Sequence, residues 1–224
     1  MPAEELLDMS DKWVLSELAR TAAEVTANLD KYELGLAAEK VENFIWDIYC
    51  DWYIEICKSR LNGEDAQQAD TARKVLVWVL DKALKLLHPF MPFITEEIYQ
   101  ALPGSAETIM TQEWPDAGKM TAWPQECADF EVLMDYIKAV RTIRNDMNVH
   151  PAKKTSMTIE TANPAAFQKG GAYLARFAFA TDVALTEKYT GTTDGVVTVV
   201  TPAARGFIPH DGADRPRKGT QAPA

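Results

Sequence analysis

NFIWDIYCDWYIEICK, Asn43 to Lys58, sets five aromatic residues, two cysteines and three carboxylates in sixteen positions. At helical spacing, about 100° per residue, Val41, Phe44, Ile45, Ile48, Tyr49, Trp52 and Ile56 make one broad apolar face. Trp46, Cys50, Tyr53 and Cys57 extend that face round the helix, and Lys40, Asp47, Asp51, Glu55 and Lys58 gather on the narrow remainder. A helix apolar over more than half its circumference belongs in the middle of a bundle, touching several neighbours. The aromatics then read mainly as core. The carboxylates read either as a solvated stripe or as partners of basic groups on the next helix; a catalytic carboxylate pair is the least favoured alternative. Cys50 and Cys57 share a face, but no nearby histidine completes a zinc set, and they read as small buried hydrophobes.

The flanks agree with a bundle. Trp13, Leu15, Leu18, Ala22, Val25 and Leu29 recur at three- and four-residue spacing in a preceding helix, with Ser10 or Asp11 as its cap. The central helix, from about Gly35 to Leu61, stops at the turn Asn62-Gly63. A third starts near Asp70 and carries Val75, Leu76, Val79, Leu80, Ala83, Leu86 and Leu87 to His88-Pro89, after which Thr95 caps a short helix. Residues 1–105 are therefore expected to form an antiparallel helical bundle, and the fold class to be mainly α.

The character changes after Pro103. Residues 106–209 read as a small α+β unit with a long helix at about 126–148. Strands TSMTIET and GVVTVVT flank a helix near Pro164 to Ala178, and DVALTEKY is a candidate further strand. Residues 210–224, with almost no apolar content, read as a disordered tail.

The net charge of −10 over 224 residues opposes broad, non-specific nucleic-acid binding, which needs a basic surface. It leaves room for a local basic patch. KAVRTIRNDMNVHPAKK supplies one, where Lys138, Arg141, Arg144, Lys153 and Lys154 face the single acid Asp146. Guanidinium forks at three-residue spacing suit phosphate oxygens; a solvated face with snorkelling stems accounts for the pattern equally well. Three cysteines without an even framework indicate a reducing compartment, and no apolar run approaches a membrane span, so a cytoplasmic location is expected. No GxGxxG, GxxxxGK[ST], CxxC or HExxH occurs. His88, His150 and His210 each adjoin a proline, and the reading favoured for such a histidine is a helix-end cap.

FIWDIYCDWYIEICK, LLHPFMPFITEEIYQAL and VRTIRNDMNVHPAKK, in that order, resemble the C-terminal part of the valyl-tRNA synthetases, and DKWVLSELARTAAEVTANLDKY resembles the start of the same region. The resemblance covers roughly residues 10–209. It implies an anticodon-binding helical bundle followed by a small junction unit, with tRNA(Val) and the catalytic domain of the same enzyme as partners. ATP and magnesium belong, by that resemblance, to the full-length enzyme; none is expected in this chain. The family's HIGH and KMSKS motifs do not occur, so the chain alone is expected not to aminoacylate. The family continues into a coiled coil where this tail departs from the pattern. Read one base late, the codons of Gly212 to Ala224 permit Glu-Leu-Ile-Asp-Arg-Glu-Lys-Glu-Leu-Lys-Arg-Leu, a coiled-coil-like start, which suggests a frameshift near His210.

Splayed anticodon bases are stacked on aromatic or guanidinium planes and read on their edges. The groups expected to be exposed for this are Lys12, Trp13, Arg20, Asn43, Asp47 and Lys85, with Arg141 and Arg144 holding phosphates. The competing reading is a helical protein-interaction module that self-associates through an exposed apolar interdomain surface.

Overall fold

The computed structural model describes residues 1–150, 152–192 and 195–209, in two compact units that divide after Cys127. The expectations of a disordered or frameshifted tail fall on 210–224, outside the described residues. The chain is helical through the first unit and α+β in the second, as expected.

The first unit opens with α1 (Met9–Asp30). Its cap is Asp8, not Ser10 or Asp11: Asp8 accepts from the Asp11 backbone at 2.8 Å, and Asp11 accepts in return from the Asp8 N–H at 3.1 Å. That reciprocal box satisfies two helix-end donors at once. A continuous helical segment follows, composed of α2 (Leu34–Asn43), a π-helical stretch (Phe44–Ile54) and α3 (Glu55–Leu61). The next helix, α4 (Ala66–Leu87), starts four residues earlier than expected because Asp65 caps it, accepting from Gln67 N and Gln68 N. α1 packs on α2 and α4, and α3 on α4. Trp13, Leu18, Phe44, Tyr53, Val75 and Leu86 are among the fully buried side chains.

α5 (Pro92–Gln100) corrects a second cap. Thr95 lies inside the helix, buried, with its hydroxyl donating to Met91 O at 2.8 Å and meeting His88 Nδ1 at 2.7 Å. His88 itself caps α4, as read. The segment after Pro103 belongs to the bundle rather than to the second unit. Trp114 Nε1 donates to Thr26 Oγ1 (2.9 Å), Trp123 N to Ser16 Oγ (2.8 Å), and Glu96 receives Thr108 Oγ1 (2.9 Å). These ties carry the division from the expected 105 to 127, inside α6 (Pro124–Asp146).

The second unit holds a four-stranded sheet in the order β2-β1-β4-β3. β1 (Thr155–Thr161) and β2 (Ala180–Thr186) pair in parallel, joined by α7 (Pro164–Lys169) and α8 (Gly171–Phe177). β3 (Val196–Val200) and β4 (Ala204–Pro209) are antiparallel to their neighbours. The single helix expected near Pro164 to Ala178 is two, broken at Gly170, where an added Cβ would lie 2.2 Å from Leu133. β4 is a strand that sequence reasoning missed. Its glycine, Gly206, is required by packing, because a Cβ there would stand 1.8 Å from Tyr136 Oη.

Candidate nucleic-acid interface

The π-helical stretch decides which side chains of the opening segment reach water. Its hydrogen bonds step five residues instead of four, so the turn is wider. Phe44 and Tyr49, five apart, are buried, with Trp52 and Tyr53 beside them. Trp46 and Asp51, also five apart, are both exposed, Trp46 at 60%. The helical wheel counts Trp46 as an extension of the apolar face; in the structure it is exposed. Asn43 and Asp47, four apart, are exposed as well. The outcome is a polar and aromatic strip with one large indole surface. Carboxylates on such a strip suit the amino donors of base edges and repel phosphate.

Two other aromatic or apolar groups stand at the α1–α2 turn. Tyr32 is 89% exposed in a left-handed backbone conformation (φ 61°), and Leu34 is exposed beside it. Neither Trp46 nor Tyr32 was among the expected site residues. Trp46 reads from its spacing as part of the apolar face. Tyr32 was legible only as the residue after a helix end.

The remaining expected residues separate into distinct roles. Trp13 is 2% exposed and belongs to the core, so its ring is not available for a base. Lys12 is half-buried, paired with Glu126 Oε1 at 3.3 Å, with its ammonium 5.9 Å from the Trp123 ring centre. Arg20 is exposed and paired with Glu17. Lys85 pairs with Asp81 (2.9 Å) and lies 5.5 Å over the Tyr99 ring, in the wall of a concavity of about 580 Å³.

In the second unit, Arg141 is exposed; its Nε donates to Phe177 O at 2.9 Å and its guanidinium lies over the Phe177 ring. Arg144 is only 6% exposed, which corrects its reading as a phosphate contact. Its guanidinium donates to the backbone carbonyls of His150 and Lys153 and packs over Phe179 at 5.1 Å. It ties the loop after α6 to the start of β1.

A buried polar network joins α1 to the C-terminal part of the helical segment that carries the strip. Asp11 accepts from Tyr53 Oη (2.6 Å) and Arg60 Nη1 (2.7 Å), and Asp8 pairs with Arg60 at 2.9 Å. Burial, followed by the Asp8 charge, raises the Asp11 carboxyl above its ordinary value against the pull of Arg60 and Tyr53. Burial also pushes the Cys57 thiol up to about 12. The network staples α1 to Tyr53 and to Arg60 of α3. No helix among the described residues is long and apolar enough to cross a membrane.

The family model described as the anticodon-binding domain of tRNA ligase matches residues 11–159. A valine–tRNA ligase from Bacillus licheniformis is 39% identical over 213 residues, covering 91% of this chain and 23% of the relative. Those of Bacillus cereus and Oceanobacillus iheyensis are 42% and 38% identical, covering 75% and 92% of the chain. The chain spans about a quarter of the length of the curated relatives it matches.

Proposed function

The chain belongs to the family of anticodon-binding domains of tRNA ligases, and from that membership we propose that it is the part of a valine–tRNA ligase that recognises tRNA(Val). The observation that carries this reading is the match of nearly the whole chain to valine–tRNA ligases across the anticodon-binding region. In this proposal the exposed strip of Asn43, Trp46 and Asp47 meets bases of the anticodon loop. Trp46 offers a stacking face, and Asn43 and Asp47 offer hydrogen-bonding groups to base edges. Arg141, exposed and anchored by its bond to Phe177, is the candidate contact to the sugar-phosphate backbone. Valine activation, with ATP and magnesium, and transfer to the tRNA lie in the part of the ligase outside this chain, and the chain alone does not aminoacylate. Its place of action is the cytoplasm, where tRNA is charged.

Filter binding of a tRNA(Val) transcript, against the same transcript with a changed anticodon, tests the reading. Tighter binding of tRNA(Val) at low salt is expected, with Trp46→Ala weakening it by about 1–3 kcal/mol, the worth of one stacked base. Equal binding of both transcripts rejects specific recognition.

A second reading rests on α5. Phe93 is 90% exposed, with Met91, Ile94 and Ile98 exposed around it. That apolar face suits a protein partner: the remainder of the ligase, or, in the isolated chain, a second copy.

A further inference from the structure

The base-reading strip is acidic and the chain carries a net charge of −10, so a bound polynucleotide needs its phosphates neutralised elsewhere. The first unit contains a concavity of about 580 Å³ with the opposite character. Arg73, Lys74 and Lys85 line it against the single acid Asp81, and Trp78 and Tyr99 form part of its wall. The turn at Gly104, in the left-handed conformation (φ 77°), closes its other side.

The three cations are differently prepared. Arg73 is exposed and, among the described residues, carries no ion pair. Lys74 pairs with Asp70 at 2.7 Å, but both side chains are more than half exposed, and such a pair exchanges easily for a phosphate. Lys85 is fixed by Asp81 and the Tyr99 ring, which leaves Arg73 and Lys74 as the cations available to a phosphate. Arg73 and Lys74 are exposed, and the half-buried Trp78 offers ring edge for a ribose or base, while Tyr99 is buried beneath Lys85.

We propose that this concavity on α4 seats the phosphodiester backbone of the bound RNA, with Arg73 and Lys74 as phosphate contacts. The proposal rests on the tRNA-binding reading and assigns it a second surface. The base strip supplies discrimination and the concavity supplies affinity.

Fluorescence anisotropy of labelled tRNA(Val) with the whole chain, from low to physiological salt, tests it. The double variant Arg73→Glu, Lys74→Glu is expected to bind about tenfold more weakly at low salt. Its slope of log affinity against log salt should fall by about 1–2, the signature of one or two lost phosphate contacts. Its preference for the correct anticodon should stay unchanged. The neutral pair Arg73→Gln, Lys74→Gln should fall between, and Arg73→Lys should restore most binding. A matched reversal at exposed Lys169 and Lys188 controls for net charge and should have the smaller effect; circular dichroism checks that all variants fold.

Discrimination by the wild type with no change in the Arg73, Lys74 variant overturns the proposal and leaves the anticodon reading standing. Loss of slope without discrimination does the reverse. Absence of any tRNA binding removes both. Displacement of tRNA by inorganic phosphate beyond that caused by chloride at equal ionic strength would assign the concavity to a free phosphate ligand and overturn the RNA assignment.

Discussion

Tyr32 ends α1 in the left-handed region, with Tyr32 N bonded to Leu29 O and Glu33 N to Asn28 O, both at 2.9 Å. That is a helix-terminating loop for which glycine is the usual occupant. A bulky residue there carries about 1–2 kcal/mol of backbone strain, and Tyr32 recovers little through burial because it is 89% exposed. Tyr32→Gly is expected to raise the unfolding free energy read from urea titration, by up to about 1 kcal/mol after glycine's own entropy is counted. Weakened tRNA binding in that more stable variant would mark Tyr32 as a binding residue whose strain is retained for use. Cys57 is the opposite case. It is fully buried, and its thiol is pushed up by burial. It should resist alkylation at pH 8 in the folded chain and react once the chain is unfolded, as mass spectrometry of iodoacetamide-treated protein would read.

At the scale of elements, the first turn of α1 couples to pH through Asp11. Its carboxyl is raised in the fold, so the native state keeps the Asp11 proton at pH values where the unfolded chain has lost it. This group's contribution therefore falls as pH rises from about 3.8 through the folded value, and is level above it. Asp11→Asn should remove that part of the slope in urea midpoints measured from pH 4 to 7, relative to wild type. β4 depends on a packing exception. Gly206→Ala would drive a methyl group into Tyr136, and a loss of about 1–3 kcal/mol is expected from calorimetry, the usual cost of overpacking. The same exception hid the strand, because ARGFIP has a glycine at its centre and a proline at its end, both poor strand residues. The helices were legible because their apolar spacing repeats over many turns, although their caps were not: Asp8 and Asp65 lie before the periodic residues begin.

At the scale of the molecule, each unit has its own core, and the first leaves the α5 apolar face exposed. Phe93→Ser should abolish concentration-dependent self-association in sedimentation velocity while leaving the thermal midpoint nearly unchanged, since Phe93 is 90% exposed. A wild-type chain that is monomeric at high concentration would leave the remainder of the ligase as the occupant of that face. Helical bundle, α+β unit and family were all determined by the sequence itself, because apolar periodicity and ordered motifs are local properties that survive without coordinates. The tertiary structure alone decided which members of those patterns touch solvent. Trp46, in the π-helical stretch, is left exposed. The core enclosed Trp13, and backbone carbonyls brought together by the fold drew Arg144 inward. Exposure depends on what packs against a residue from distant parts of the chain, and no single helix carries that information.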